Sequence, residues 1–242
     1  MISHSIARIP VTIQHYYDFG PDRDVVGAQL DNPQSWDAIR ETSGPFGLPP
    51  TRADWERAAG ELDFAERAAA IAAIADELGA RRVCSYGVGA AFVELNLARQ
   101  RPDIELVCTD FAPRTLARLH DLFPEAEVRR HDLLTAGPLE ADLHVFHRID
   151  SELSNRQWRS VLPRFREPIL LVATQLLEWS GLRHELGTRR SPGMASAAGY
   201  VRTEAGLRSF WRRSHRDRKI EIGSLAGFVL TPRSAAATGS RS

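Results

Sequence analysis

Glycines and acidic residues follow apolar runs in the middle of the chain. The segment 83–94 begins with an apolar run, passes through Gly87 and Gly89, and opens a helical segment. A second apolar run, Leu106–Thr109, ends at Asp110. Glycines let a backbone approach a bound ligand, and an acid at the end of the second strand accepts hydrogen bonds from ribose hydroxyls. The pattern therefore indicates a βαβ unit that binds an adenosine-containing cofactor.

Strands and helices alternate around this motif, which implies an α/β fold with a doubly wound, mostly parallel sheet. The last two apolar runs, 219–223 and 226–231, are close enough to form an antiparallel β-hairpin. The predicted parallel strands are 81–86, 104–109, 126–131, 141–147 and 168–174. The predicted helices are 52–78 with a break near Gly60, 90–100, 113–122, one capped by Ser154, and 203–213.

Breaker residues divide the chain into a core and flanking segments. Prolines and glycines are frequent before residue 51, so residues 1–60 are predicted to form an N-terminal helical cap of short helices and loops. Residues 61–233 form the predicted core, with a glycine-rich insertion at 178–199. The small, polar tail 234–242 is expected to be disordered.

Composition excludes several functional classes. The 242-residue chain has a formal net charge of 0, which argues against nucleic acid as its main partner. It contains two cysteines, both in predicted strands, so we expect reduced core thiols rather than disulfides. No apolar run is long enough for a transmembrane helix, and the N-terminus lacks a secretory pattern. We therefore expect a cytoplasmic protein without a membrane partner.

The chain resembles the class I S-adenosylmethionine-dependent methyltransferases over about residues 60–231. Ser85-Tyr86-Gly87-Val88-Gly89 matches the glycine motif, and Asp110 and Asp132 stand at the two acidic positions of that family. Ser85 departs from the pattern, because the family usually has an acid there, and Glu94 is the candidate to replace it. A nicotinamide dehydrogenase fits less well, since the four tyrosines include no Tyr-x-x-x-Lys pair.

The resemblance implies S-adenosyl-L-methionine as the cofactor and a Rossmann-like methyltransferase fold. In this family the first acid clamps the ribose and the second accepts the adenine amino group. The cofactor-binding residues that it implies are Ser85, Tyr86, Gly87, Gly89, Glu94, Asp110, Phe111, Asp132, Leu133 and Phe146.

A polar cluster follows the fourth predicted strand, where ligands of open α/β sheets bind. His147 is the preferred general base, with Asp150 or Glu152 as its orienting partner or as an alternative base. A structural alternative stays open, in which His147 lines the pocket through its backbone and Asp150 caps the next helix. A metal site is not expected, because His144 and His147 point to opposite faces of a strand.

Candidate acceptor contacts lie in the cap and in the insertion. Tyr16 and Tyr17 could cover the substrate, and Arg183 and Arg189 could grip an anionic group. The predicted function is methyl transfer to oxygen or nitrogen of a small molecule, such as a secondary metabolite or a sugar-like acceptor.

Two rival functions and a self-association remain open. Residues 151–242 carry 16 basic and 7 acidic side chains, so this half could contact RNA as part of an RNA methyltransferase. Residues 1–150 carry 15 arginines and 24 acidic side chains, so opposite halves of two copies could also pair in a homodimer. Ser85 keeps a third reading open, in which the chain is a non-catalytic binding module.

Overall fold

The computed structural model describes residues 6–17, 32–42, 46–179, 181–182 and 197–233. The predicted tail and residues 183–196 of the predicted insertion lie outside the described residues. Within the described part, no helix combines the length and apolar character needed to cross a lipid bilayer.

The strands form one large sheet and one two-stranded sheet. In chain order they are β1 (Thr12–Tyr17), β2 (Arg82–Tyr86), β3 (Glu105–Asp110), β4 (Glu127–Arg130), β5 (Leu143–His147), β6 (Ile169–Val172), β7 (Ala197–Arg202), β8 (His215–Ile222) and β9 (Leu225–Pro232). The large sheet has the order β4-β3-β2-β5-β6-β9-β8. Strands β2 to β6 are parallel, whereas β9 is antiparallel to both β6 and β8. The predicted parallel sheet and terminal hairpin are confirmed.

The helices follow the predicted alternation. Those bounded within the described residues are α1 (Pro33–Glu41), α2 (Arg52–Ala59), α3 (Leu62–Leu78), α4 (Phe92–Gln100), α5 (Pro113–Leu122), α6 (Asn155–Val161) and α7 (Glu204–Arg208). Gly60 separates α2 from α3, and Gly79 ends α3 in the left-handed conformation at φ +66°. Ser154 and Gln157 form a capping box at the start of α6, as the predicted cap position requires.

Two apolar clusters cover the two faces of the large sheet. Alternate strand residues point to opposite faces, so Val145 joins α3 and α4 in one cluster, and Phe146 joins α6 in the other. Cys84 and Cys108 are both free and fully buried, one in each cluster, which agrees with the prediction of core thiols.

Strand β1 corrects the prediction that the first 60 residues contain only helices and loops. It pairs antiparallel with β7, with Thr12 opposite Arg202. This partner lies near the other end of the chain, so no local pattern around residues 12–17 announces the strand. The described part of the first 60 residues therefore contributes one strand, β1, besides the helices α1 and α2.

Arg202 connects this small sheet to the loop after β5. Its side chain is fully buried, and its Nε donates a hydrogen bond of 2.8 Å to Asn155 Oδ1. Its Nη1 donates to the carbonyl of Asp150, and its Nη2 donates to the carbonyl of Leu153 at 2.5 Å. One guanidinium thus holds three acceptors of a segment that lies at the carboxyl end of the sheet.

Replacing Arg202 with methionine should destabilise the protein strongly. The variant leaves buried acceptors without donors, which predicts a loss of about 2–4 kcal/mol in the free energy of unfolding. Arg216→Met is the matched control, because Arg216 lies on β8, the next strand along the chain, and its side chain is exposed. This variant should change the free energy of unfolding by less than about 0.5 kcal/mol. Equal stability of the two variants in urea unfolding would contradict this role of Arg202.

Candidate active site

The strand order of the large sheet reverses between β2 and β5, which leaves a crevice at their carboxyl ends. Open α/β sheets bind ligands at such switch points. The turn after β2 meets the loop after β5 at Gly87, which has φ +67°. A β-carbon at Gly87 would lie 2.6 Å from Ile149 Cγ2, so a larger residue would separate the two segments. The glycine therefore allows both walls of the crevice to approach each other.

Asp110 holds the glycine turn in place. Its Oδ2 accepts a hydrogen bond of 3.0 Å from the backbone N–H of Gly89. Its Oδ1 accepts bonds of 2.7 Å and 3.0 Å from the N–H groups of Phe111 and Ala112. A carboxylate offers about four acceptor positions, so one position remains for a ligand hydroxyl. The predicted ribose clamp thus lies in the crevice, and most of its hydrogen-bond acceptor positions are used by backbone N–H groups of the chain itself.

Two larger cavities open from the crevice, besides a small one of about 10 Å³ that Asp110 lines. The first, named here the Phe111 cavity, has a volume of about 190 Å³. The second, named the His147 cavity, has a volume of about 180 Å³. The Phe111 cavity is lined in part by Tyr86, Phe111, His131, Asp132 and Leu133. The His147 cavity is lined in part by Phe64, Arg67, Phe92, Glu94, His147 and Arg148. Gly87, Ile149 and Glu152 border both cavities.

Six of the ten predicted cofactor residues line these two cavities, whereas Ser85, Gly89, Asp110 and Phe146 do not. Asp132 accepts hydrogen bonds from the Leu134 N–H at 2.9 Å and from Thr135 Oγ1 at 3.0 Å, so its carboxylate is fixed at the cavity edge. Phe146 instead packs in the core, with its ring centroid 5.6 Å from that of Trp158. The side-chain alternation of β5 places it on the face opposite His147, which corrects its prediction as a cofactor contact.

Ser85 and Glu94 form a buried pair beside the His147 cavity. The Ser85 hydroxyl donates a hydrogen bond of 2.6 Å to Glu94 Oε1. Burial raises the pKa of Glu94, and the hydrogen bond from Ser85 opposes this rise. The helix α4 therefore brings a carboxyl group next to the serine that stands at the family's acidic position, and the role of Glu94 as its replacement stays a prediction.

His147 lies at the end of β5 with two guanidinium groups near its ring. Burial, together with the positive charges of Arg67 and Arg148, lowers the pKa of His147 to about 3. Its Nε2 has no hydrogen-bond partner among the described residues. His144 points to the opposite face, as predicted, and packs against Phe165 with ring centroids 4.7 Å apart. His147 is thus a neutral acceptor in a positively charged environment.

Glu152 lies where the two cavities meet. Burial and the negative charges of Asp110 and Asp150 raise its pKa to about 8, while Arg40 opposes the rise. Asp150 itself does not orient His147, because its Oδ1 accepts hydrogen bonds from Thr174 N and Oγ1 at 2.7 Å and 2.8 Å. Burial raises the pKa of Asp150 as well. The capping role that the alternative reading gave to Asp150 belongs to Ser154.

Arg40 is a site residue that the sequence did not indicate. Asp37, one turn earlier in α1, accepts hydrogen bonds of 2.7 Å and 2.9 Å from Thr115 N and Oγ1 and so docks α1 onto α5. Arg40 then extends over the glycine turn, where a β-carbon on Gly89 would collide with its guanidinium. Its electrostatic partners are Asp110 and Glu152. The Arg40 guanidinium reaches this position only because α1 docks onto α5, so no local sequence pattern predicts it.

Known structures resemble this fold. Human N-acetylserotonin methyltransferase in complex with SAM matches with a TM-score of 0.54 and 13% identity, over 88% of this chain and 60% of that one. The mitomycin 7-O-methyltransferase MmcR matches with 0.56 and 17%, over 75% and 57%. The neocarzinostatin O-methyltransferase NcsB1, bound to SAM and 2-hydroxy-5-methyl naphthoic acid, matches with 0.53 and 17%, over 68% and 53%.

The chain has the class I S-adenosylmethionine-dependent methyltransferase fold. It spans between 53% and 60% of the length of these three methyltransferases. No protein-family model matches the sequence, and no curated protein matches it. The predicted fold class is therefore confirmed. Sequence identities as low as these establish a shared fold and nothing further.

Two of the four predicted acceptor contacts belong to β1, and the other two are not among the described residues. Tyr16 and Tyr17 end β1, where their backbones pair with Ala198 and Ala197 of β7. Arg183 and Arg189 lie outside the described residues. Their roles remain predictions.

Three of the basic residues behind the RNA hypothesis pair with acidic side chains in or beside the hairpin. Arg218 contacts Glu77 at 2.6 Å, and Lys219 contacts Glu204 at 2.6 Å. Arg208 contacts Asp217 at 3.0 Å. These acidic partners neutralise three of the positive charges on which the RNA hypothesis rests.

The raised pKa of Glu152 predicts a pH-dependent effect on stability. The unfolded side chain loses its proton near its ordinary pKa of 4.5, whereas the folded protein holds it up to about pH 8. Between these values the folded state binds more protons, so Glu152 lowers the free energy of unfolding as pH rises. Glu152→Gln removes this titration, so from pH ~5 to ~8 its stability should increase relative to wild type, by up to about 1.4 kcal/mol per pH unit. Parallel urea-stability profiles of the two proteins would contradict the raised pKa.

Proposed function

We propose that the protein is an enzyme that transfers a methyl group from S-adenosylmethionine to a small-molecule acceptor. The observation that carries this proposal is the pair of cavities that meet at Glu152 on either side of the glycine turn. Two structural neighbours support it, because MmcR and NcsB1 are O-methyltransferases by name. We infer oxygen as the favoured acceptor atom, with nitrogen as the alternative, and an acceptor from secondary metabolism.

The residues of the crevice fit such a cofactor. The Phe111 cavity suits the adenine ring, with Asp132 at its polar edge and Leu133 in its apolar wall. The free acceptor position of Asp110 suits one ribose hydroxyl. Glu94 suits the amino group of the methionine end, and the guanidinium of Arg40 over the glycine turn suits its carboxylate. The amino group and the carboxylate of the methionine end therefore each have a complementary group in the chain.

When bound, the cofactor supplies an electrophilic methyl group on a sulfonium, and the electrons of the broken S–C bond stay on sulfur while the acceptor oxygen forms the new bond. The task of the chain is to orient the acceptor oxygen, exclude water and accept its proton. The proton acceptor must lie between the two cavities, because cofactor and acceptor meet there.

Glu152 is the proposed general base. It borders both cavities, and its pKa of about 8 lies close to an ordinary working pH, which is the optimum for proton transfer. His147 is the alternative, but a second positive charge beside Arg67 and Arg148 is unfavourable, which its pKa of about 3 reflects. We therefore assign His147 to holding the acceptor through its Nε2, and Asp150 to positioning the loop.

The cofactor assignment predicts that S-adenosylhomocysteine binds and that NAD does not. Asp110→Ala should weaken S-adenosylhomocysteine binding by about 1–3 kcal/mol, because it leaves a buried hydroxyl unpaired and releases the glycine turn. Asp121→Ala is the control, since the Asp121 side chain is 87% exposed and far along α5 from the crevice. Calorimetry that detects NAD binding alone, or equal affinities for both variants, would contradict the proposal.

The base assignment predicts distinct kinetic effects for two variants. Glu152→Gln should lower kcat on the order of 10²–10⁴-fold and abolish a rise of the rate with pH that levels above about 8. His147→Ala should mainly raise KM for the acceptor and keep that rise. S-adenosylhomocysteine formed with a panel of aromatic hydroxy compounds gives the rate, and calorimetry shows whether cofactor binding is preserved.

Three outcomes would contradict the assignment of the general base or the proposed small-molecule acceptor. A larger loss of kcat in His147→Ala would return the base to His147. Equal losses of rate and cofactor affinity in both variants would show that the two side chains only line the pocket. Methyl transfer to RNA, with no transfer to any small molecule, would favour the RNA alternative.

A further inference from the structure

Arg67 carries an unpaired donor inside the protein. Its side chain is only 6% exposed, although Asp63 binds it from one side with a 3.1 Å hydrogen bond from Nε to Oδ1 and a contact from Nη2 to Oδ2. The remaining nitrogen, Nη1, is buried and has no hydrogen-bond partner among the described residues. A buried donor without a partner costs about 1–3 kcal/mol, so its retention beside a cavity points to a ligand.

Two further polar groups stand at the same end of the His147 cavity. The Nε2 of His147 is likewise buried and unpartnered within the described part of the chain. Arg148 follows in the left-handed conformation at φ +61°, which a non-glycine residue adopts at a cost and most often at functional sites. Its side chain is exposed, and its positive charge acts on both Arg67 and His147. Two guanidinium groups and an imidazole therefore converge at one cavity wall.

The acidic residues of the cavity have partners of their own elsewhere. Glu94 accepts the hydroxyl of Ser85, and Glu152 faces Arg40. Asp63 is occupied by Arg67 on the solvent side, where its side chain is 45% exposed. The wall around His147 thus keeps an excess of positive charge that an anion would balance.

Aromatic side chains flank this positive wall. Phe64 of α3 and Phe92 of α4 pack with ring centroids 5.1 Å apart, and both line the cavity. The guanidinium carbon of Arg67 lies 5.8 Å from the centroid of Phe64. Trp36 and Phe46 line another part of the cavity. A flat ring next to an anionic group matches these surroundings, because the rings supply apolar area and the guanidinium supplies the free donor Nη1.

We propose that Arg67 and Arg148, beside His147, form a subsite for the carboxylate of an aromatic hydroxy acid, which is the acceptor of the methyl group. The inference deepens the proposed function and rests on it. The planar guanidinium of Arg67 gives its free Nη1 to one carboxylate oxygen, and Arg148 closes over the group from the solvent side. His147 is then a positioning neighbour of the subsite that contacts the acceptor ring substituents.

The test compares a charged probe with its uncharged isostere. 2-Hydroxybenzoate and 2-hydroxybenzamide have the same ring and hydroxyl, and they differ in the negative charge. Calorimetry with protein saturated with S-adenosylhomocysteine should show the benzoate binding at least tenfold more tightly. Arg67→Met should abolish this preference, Arg148→Met should reduce it, and Arg67→Lys should restore part of it.

Arg57→Met is the matched control. Arg57 is also an arginine that pairs with a nearby aspartate on a helix, at 2.8 Å from Asp54, but its side chain is 75% exposed. This variant should keep the full preference for the benzoate. Unchanged S-adenosylhomocysteine affinity in Arg67→Met shows that the variant is folded and that the cofactor site is intact.

The outcomes separate this inference from the proposed function. Equal binding of the two probes, absence of binding by both at millimolar concentration, or a preference that survives Arg67→Met would overturn the carboxylate subsite while cofactor binding stands. Competition by inorganic phosphate as effective as the benzoate would replace it with a general anion site. Failure of the wild-type protein to bind S-adenosylhomocysteine would overturn the proposed function, and the probe titration without cofactor would still decide the subsite.

Discussion

The carboxylate of Asp110 is the constraint on which the crevice depends. It ends β3 and binds backbone N–H groups of two segments on one side of the switch point, namely Gly89 after β2 and Phe111 and Ala112 after β3. Without these bonds, three buried donors would lack partners and the glycine turn would lose its connection to β3. The same group supplies the negative charge that Arg40 and Glu152 experience, so it sets the electrostatics as well as the shape.

The opposite wall depends on a second set of buried polar contacts. Arg202 binds the carbonyls of Asp150 and Leu153, and the Asp150 carboxylate binds Thr174 at the end of β6. These contacts hold both ends of the short loop that presents Glu152. Asp150 is therefore important for the site although it does not border either cavity. A pairing between β1 and β7, at the two ends of the chain, supports the central site through Arg202.

Local patterns account for the parts of the fold that the sequence could predict. Apolar runs, the left-handed Gly79 and the Ser154 capping box are properties of neighbouring residues, so the strands and helices from α2 to α6 were predictable. The positions of Asp110 and Glu94 followed in the same way, because a strand end and the first turn of the next helix are adjacent. Strand alternation also explains why Phe146 was wrongly included, since its neighbour His147 already faced the crevice.

The remaining features depend on packing between distant segments. Strand β1 exists because β7 offers its edge, and Arg40 reaches the crevice because Asp37 docks α1 onto α5. The proximity of Arg67 to the end of β5 depends on how α3 packs against the sheet, which the spacing of residues in the sequence does not predict. The pKa of Glu152 depends in turn on charges from three separate elements. Site residues on loops and strand ends were therefore easier to find than their helical neighbours.

A crystal structure of the protein grown with S-adenosylhomocysteine tests the central claim most directly. The account predicts density for adenine in the Phe111 cavity beside Asp132, a ribose hydroxyl on Asp110, and the amino acid end between Glu94 and Arg40. Glu152 would then face the sulfur from the border of the two cavities. Density for the ligand outside this crevice, or a ligand with its adenine in the His147 cavity, would contradict the account.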